Sequence, residues 1–426
     1  QNLYTIAKKY YEALLADPGN AQFHLTDPRG ASDKSGRTFN NPYQYFFEQM
    51  HMDDAIYADE SIYEYPMQQG GGNDGRPYSF GRPSSGGSKA AYPCKSYGQG
   101  RINPAYFYGI FDPNDMRRDV SITMTGSNGK GVEKLIPFVP NSKAEGGGLT
   151  LNKWDENRQA NPWVAAQRKS GINGPYMRMS EVYLGYAEVC AALGDVVTGK
   201  QYLKTVRERS FPQGLADTDG FIASFGNDLV RAIIEERGFE YAGEGDRRWT
   251  LIRSGYLPED IKRIKDMTKA MMDGLATKGY YEFENGNIIS AYIWTKLVDA
   301  KTIYGHRLTA QCPMDKVNDP VLYPGWRGQK DNWEEMGLNY GNSAPATNLA
   351  IKGLFEIVSE EEAASLESQG YAKVNWGIDL VDYRDEYDKY LFWDYDYVSA
   401  PIYLWPFTPN VMAAGGFTNG YGFKQE

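Results

Sequence analysis

The sequence predicts a mainly α-helical fold: a TPR-like superhelix carrying long loop insertions and few short strands. Three observations predict it. Apolar residues recur at helical spacing through residues 174–275. A Gly-Asp stop at Gly194-Asp195 splits that region into an antiparallel helical hairpin, the unit from which TPR-like arrays are stacked. Long stretches rich in Gly, Ser and Pro, such as residues 70–104, interrupt the rest of the chain.

Taken in order, Leu3, Ile6, Tyr10 and Leu14 form one stripe of an opening helix that Asp17-Pro18-Gly19 ends. That stripe needs a partner: later helices, or chain lying upstream of Gln1. Residues 20–42 read as loop, and 43–67 as aromatic and partly helical. Residues 105–170 alternate short extended runs with turns, Gly146-Gly147-Gly148 among them. Residues 276–347 are again loop-rich, 348–370 look helical, and 371–400 read as an acidic, aromatic, solvated edge. The segment Tyr403–Pro409 is extended and closes the fold.

Within the helical region, Met179, Val182, Tyr186, Val189 and Leu193 share a face. Thr198 and Gln201 suggest a capping box opening the next helix, which turns Tyr202, Leu203 and Val206 inward. A third helix spans about 228–241, and Arg237 falls on its apolar stripe with Val230, Ile234 and Tyr241. A lone buried charge is very costly, so Arg237 must be paired, with Glu244, Glu188 or Glu181 as leading partners. Arg178, Glu181, Glu188, Arg237, Glu240 and Glu244 are therefore expected to form a structural ion network. Removing Arg237 is expected to cost about 3–5 kcal/mol. Trp249 is expected to plug the core.

The 426 residues carry a formal charge of −10 without a basic stripe, which argues against a nucleic-acid partner. No run of 18 apolar residues is present to span a membrane, and no signal peptide or lipidation motif is seen. Cys94, Cys190 and Cys312 are widely separated and make no disulfide framework; Cys190 reads as a small core residue. His24, His51 and His306 lack zinc-ligand spacing, so no metal and no cofactor is expected. The glycine-rich run 70–75 lacks the Lys-Ser/Thr of a phosphate loop, and no nucleophile elbow occurs. An enzyme is not expected. A glycoside hydrolase would require paired carboxylates, for which only the Asp residues near 379–396 offer material.

Aromatic residues are the remaining chemical signal. Sugar rings present flat C–H faces that stack on exposed aromatic rings, and such residues sit on loops. Trp154, Trp163, Trp333 and Tyr78 in the loop-rich stretches are the candidate ligand residues, with Arg101 and Asn103 as polar partners.

Several motifs then fall in one order. They are Asp115-Met116-Arg117-Arg118; Arg178, Glu181, Tyr183, Leu184, Tyr186, Ala187 and Glu188; and Val206-Arg207-Glu208-Arg209. Glu236-Arg237 through Arg253 follows, then Leu404–Pro409 and Gly420-Tyr421-Gly422. Together they resemble the SusD/RagB family of surface lipoproteins. Thr250 stands where an aspartate is common and is expected to loosen one helix contact; Phe407-Thr408-Pro409 varies the closing motif. The family's N-terminal part, with its lipidated cysteine, is expected to precede Gln1.

The resemblance implies a single SusD-like α-helical domain over residues 1–426, with 70–165 a loop-rich insertion. It implies no catalysis, and lipid anchoring at the bacterial outer membrane facing outward. It also implies docking on a SusC-like TonB-dependent transporter, to which captured glycan would be delivered; some members bind peptides instead.

Overall fold

The computed structural model describes residues 2–17, 19, 24–25, 42–50, 60–68, 79–83, 96–127, 133–140, 146–154, 171–299, 347–391 and 407–416. Helix α1 (Asn2–Ala16) and α2 (Pro42–Gln49) precede strand β1 (Ser61–Tyr65). A π-helical turn (Tyr106–Ile110) and α3 (Arg117–Ser121) lead into β2 (Ile122–Thr123), β3 (Thr125–Ser127), β4 (Glu133–Leu135), β5 (Thr150–Leu151) and β6 (Gly174–Arg178). Then come α4 (Met179–Ala192), α5 (Val196–Arg209), α6 (Thr218–Ala223), α7 (Leu229–Glu240), α8 (Asp246–Ser254) and α9 (Leu257–Lys278). The remainder is β7 (Tyr280–Glu282), β8 (Ile288–Ser290), β9 (Tyr292–Asp299), β10 (Thr347–Lys352), α10 (Glu360–Ser368), β11 (Ala372–Asn375), α11 (Gly377–Asp382), α12 (Arg384–Leu391) and α13 (Pro409–Gly415). The architecture is mainly helical with few short strands. The largest sheet among the described residues has three strands, antiparallel in the order β10-β9-β11.

Helices α4 and α5 form the anticipated hairpin, but its second helix starts three residues early. Asp195, not Thr198, is the cap: its carboxylate accepts from the Thr198 amide at 3.2 Å. A carboxylate there also meets the positive end of the helix dipole. The hairpin closes tightly because Gly199 faces α4; a Cβ there would stand 2.9 Å from the Ala187 carbonyl. Leu184, Ala187, Leu203 and Val206 fill the seam against Ala232 and Ile233 of α7, and Cys190 is buried.

Several elements differ from the sequence reading. Residues 174–178 are strand rather than helix, because they pair antiparallel with β1 and Arg178 is extended at φ −142°. Residues 347–352 are also strand: the consecutive Leu349, Ala350 and Ile351 are all buried, a pattern that periodicity cannot tell from helix. Gly353, at φ +77°, ends that strand. Within the stretch read as extended runs and turns lie the π-helical turn and α3. Residues 105–149 contribute Phe107, Tyr108, Phe111, Met124 and Phe138 to the largest core cluster.

The supposed solvated edge after 371 enters the same core. Trp376 is fully buried, donates to the Tyr108 hydroxyl at 2.8 Å and packs 4.3 Å from the Phe138 ring. Helix α1 meets the α4–α5 hairpin through Lys8, Tyr11 and Glu12, which reach Asp195 at the α5 cap and Gly185 and Tyr186 of α4. Its stripe of Leu3, Ile6 and Tyr10 consequently faces outward. Trp249 is 52 % exposed and is not a core plug.

Candidate ligand-binding site

Helix α7 reads LVRAIIEERGFE, and its charged residues Arg231, Glu235, Glu236, Arg237 and Glu240 are all buried. Each must find counter-charge inside the protein, since a buried unpaired ion is not tolerated. Glu236 and Glu240, one turn apart, face Arg117 at 2.7 and 3.1 Å. Glu236 also takes Arg207 at 2.6 Å. Glu240 also takes Arg178 at 2.5 Å and pairs with Arg209. Arg178 extends to Glu60 at 3.0 Å and grips Glu244 with two nitrogens, at 2.9 and 3.0 Å. Lys153 meets Glu244 at 2.6 Å, and Arg209 meets Glu60. On another face of α7, Glu235 takes Arg247 and Arg263 at 2.9 and 2.7 Å.

Burial by itself would raise these carboxyl groups, but the guanidiniums outweigh it. Arg209, Arg178 and Arg117 hold Glu240 far below the usual carboxylate range, and Glu235 is held at about 2 by Arg247 and Arg263. Burial lowers Lys153 to about 8 despite Glu244. Carboxylates clamped in this way are poor proton donors or acceptors, so the network is structural. Asp379, one of the aspartates considered for hydrolysis, is buried beside Asn375 at 3.2 Å, and burial raises its pKa. Asp394 and Asp396 lie outside the described residues. Among the described residues no group of three or more His, Cys, Asp or Glu is placed to hold a metal ion.

Arg237 pairs with Glu181 at 2.8 Å and Asp246 at 2.5 Å. Glu188 instead meets Arg253, and Glu244 meets Arg178. Thr250 does not loosen this corner. Its hydroxyl accepts from Arg237 Nε at 3.2 Å and donates to Asp246 at 2.9 Å. Glu181 and Asp246 are partly solvated, so water can replace much of what they lose with Arg237. Arg237→Ala should therefore cost about 1–3 kcal/mol, less than a fully buried pair would demand. Equilibrium denaturation against the parent measures this, and an unchanged midpoint would refute it.

The network also fixes one surface feature. Strands β1 and β6 form a two-stranded ribbon, with Tyr63 opposite Met177 and Tyr65 opposite Gly174. Glu60 immediately precedes β1 and Arg178 ends β6, so their ion pair clamps the ribbon's base. The Met179 amide adds a bond to the Glu60 carbonyl at 2.9 Å. Further along, Asn173 donates to Glu64 at 2.9 Å and accepts from the Met67 amide at 2.9 Å. Alternation in the strand then turns Glu64 inward and Tyr63 and Tyr65 outward. Tyr63, Tyr65 and Tyr176 are 53 %, 58 % and 71 % exposed. The rings of Tyr63 and Tyr176 meet edge to face, 5.8 Å between centroids. Large exposed rings on a pinned backbone form a preorganised stacking surface at low entropic cost.

The residues singled out from the sequence fare unevenly. Trp154 is fully buried among Tyr43, Phe46 and Phe47, so its ring has no face open to a ligand. Asn103 is occupied at both ends: its amide donates to Thr268 at 3.0 Å, and its oxygen accepts from the Ala105 amide at 2.8 Å. It braces the π-helical turn instead. Arg101 is half-buried, bridges Thr150 through its backbone and lies against Gly147. Tyr78, Trp163 and Trp333 lie outside the described residues. The ribbon tyrosines were missed, although the Tyr-Glu-Tyr alternation at 63–65 is a strand signal with one aromatic face.

Fold and ribbon together define a helical scaffold presenting an aromatic contact surface. The SusD family model matches residues 24–406, and the chain belongs to that family. Members are binding proteins rather than enzymes, associated with the outer membrane at the cell surface. A curated relative, SusD-like protein P25 of Formosa agariphila, is 28 % identical over 160 residues, covering 37 % of this chain and 26 % of that protein. Among solved structures, a SusD homolog from Bacteroides thetaiotaomicron is 19 % identical with TM-score 0.43, over 63 % of this chain and 51 % of that one. Surface glycan-binding protein A from the same organism, solved in complex with laminarihexaose, is 19 % identical with TM-score 0.42, over 60 % and 51 %. The chain thus matches about half the length of those solved structures and about a quarter of the curated relative. No helix among the described residues is long and apolar enough to cross a membrane.

Proposed function

We propose that this protein captures oligosaccharide or polysaccharide at the bacterial cell surface, without turning it over, and delivers it to a SusC-like TonB-dependent transporter. In this reading residues 1–426 act as one SusD-like unit, with 70–165 its loop-rich insertion. Family membership supports the class of protein. The observation that carries the ligand class is the ribbon of Tyr63, Tyr65 and Tyr176. It offers ring faces and phenol hydroxyls together, and a sugar presents C–H faces and hydroxyls together. Tyr78, Trp163, Trp333 and Arg101 are proposed as further contacts.

Calorimetry and affinity gel electrophoresis across a polysaccharide panel test this reading. Retardation by at least one glycan, without release of reducing sugar, is expected. Tyr63→Ala/Tyr176→Ala should weaken that binding roughly tenfold or more, since two stacking rings contribute about 0.5–1.5 kcal/mol each. Both rings are exposed, so the fold should be unchanged by circular dichroism. Wild-type affinity in the double variant would remove the ribbon from the site. Retention of oligopeptides but no glycan would replace the glycan reading with the peptide one.

A further inference from the structure

The ladder of the aromatic ribbon is irregular, and the irregularity is centred on its tyrosines. Ser61 pairs with Arg178, Glu64 with Pro175 and Tyr65 with Gly174, all in one register, whereas Tyr63 faces Met177, one residue out of it. Tyr63 and Glu64 are consecutive, but their partners Met177 and Pro175 are not. Tyr176 is therefore an extra residue in β6, without a partner in the ladder: a β-bulge. Burial agrees with this. Tyr176 and Met177 are neighbours and both exposed, while Pro175 and Glu64 turn inward together. The bulge re-aims Tyr176 and sets its ring against that of Tyr63.

The bulge needs a restraint to stay in place. A regular ladder running on from Tyr63 and Met177 would put Glu64 opposite Tyr176 and Tyr65 opposite Pro175. It would turn the Tyr176 side chain inward beside Glu64, away from Tyr63. A two-stranded ribbon resists such a shift weakly, and Pro175 has no N–H to give the ladder. Asn173 supplies the restraint. It directly precedes β6, and its neighbour Ile172 is fixed in a core cluster with Trp154 and Tyr43. Its Nδ2 donates to Glu64 at 2.9 Å, and its Oδ1 accepts from the Met67 amide at 2.9 Å. One side chain thus ties the start of β6 to positions on both sides of the end of β1. Glu64 is 1 % exposed, so losing this donor inside the protein is costly.

We propose that Asn173 is a positioning residue of the stacking surface. Through Glu64 and Met67 it fixes the register of the ribbon's outer half, keeps the bulge at Tyr176 and so holds the Tyr63 and Tyr176 rings together as one corner. It acts through Tyr176 and makes no ligand contact of its own. Its effect on affinity rests on the glycan reading of the ribbon; its effect on register does not.

The test compares the parent with Asn173→Ala and with Asn173→Asp/Glu64→Gln. In the double variant the exchanged carboxylate accepts from the Met67 amide and from the new side-chain amide, so both bonds are kept with one donor and acceptor reversed. Thermal melts check that each variant folds. Nitration by tetranitromethane, mapped by mass spectrometry without any ligand, reads the register. Nitration of Tyr176 relative to the exposed Tyr10 of α1 should fall several-fold in Asn173→Ala and recover in the double variant. On a glycan that the parent retains, affinity should fall roughly threefold to tenfold in Asn173→Ala, the contribution of one stacking ring, and recover likewise. In a Tyr176→Ala background, Asn173→Ala should change affinity by less than about twofold, because the ring it positions is gone. A general loosening of the fold would weaken both backgrounds alike. Unchanged Tyr176 nitration in Asn173→Ala, no recovery in the double variant, or equal affinity losses in the two backgrounds would overturn the proposal. A parent that retains no glycan would remove the glycan reading, and the nitration result would then decide the role of Asn173 by itself.

Discussion

Glu240→Ala is expected to unfold far more easily than the parent, by about 3–5 kcal/mol, with a melting midpoint lower by on the order of 10 °C. Five carboxylates, of Glu60, Asp115, Glu236, Glu240 and Glu244, face five cations, of Arg117, Arg178, Arg207, Arg209 and Lys153. All ten are buried or nearly so. Removing Glu240 leaves one positive charge in excess where water cannot reach, and Arg117, Arg178 and Arg209 each lose a partner. Glu240→Gln keeps the shape and some hydrogen bonding, and should fall between the two. A melt of Glu240→Ala that overlays the parent would mean the network is dispensable. Because Arg178 and Glu60 clamp the ribbon, any glycan affinity should also fall in Glu240→Ala at temperatures where it is still folded.

The sequence made the scaffold legible where it has strong period and punctuation. The α4–α5 hairpin and α7 follow from apolar spacing and from Gly194, Asp195 and Asp228. Arg237 could be assigned a partner because a charge on an apolar stripe admits no other solution. The strands were not legible. Leu349, Ala350 and Ile351 put apolar residues on both faces of 347–352, and 174–178 become strand only because distant residues 61–65 pair with them. The centre of the ion network was likewise hidden. Glu60 and Lys153 reach it from segments far away in sequence, and nothing local marks a buried lysine. Among site residues, counting aromatics in loop-rich stretches could not separate Trp154, which fills a core, from Tyr63, Tyr65 and Tyr176, which stand in solvent. That difference depends on which face of each segment the rest of the chain covers.

Acid should dismantle the fold through the same groups, over a defined window. Glu235, Glu240 and Glu244 all have their pKa lowered: burial opposes ionisation, but neighbouring arginines and, at Glu244, Lys153 prevail. For a carboxyl lowered on folding, the unfolded chain binds the proton first as pH falls. The stability it contributes is therefore complete above the unfolded value near 4.5 and is lost as pH drops toward the folded value. Glu235 alone, held at about 2, contributes about 3 kcal/mol by this linkage. Asp115 and Asp379 act in the opposite sense, because burial raises them, and they soften the fall without reversing it. Urea denaturation at pH 7, 5, 4 and 3 should give a midpoint level to about pH 5 and dropping steeply below it. In Glu235→Gln the neutral-pH stability should be lower and the slope between pH 4 and 3 shallower, since one of the titrating groups is gone. A midpoint that stays constant down to pH 3 would show that the buried carboxylates are not held ionised by their arginines, and the account of the network given above would fail with it.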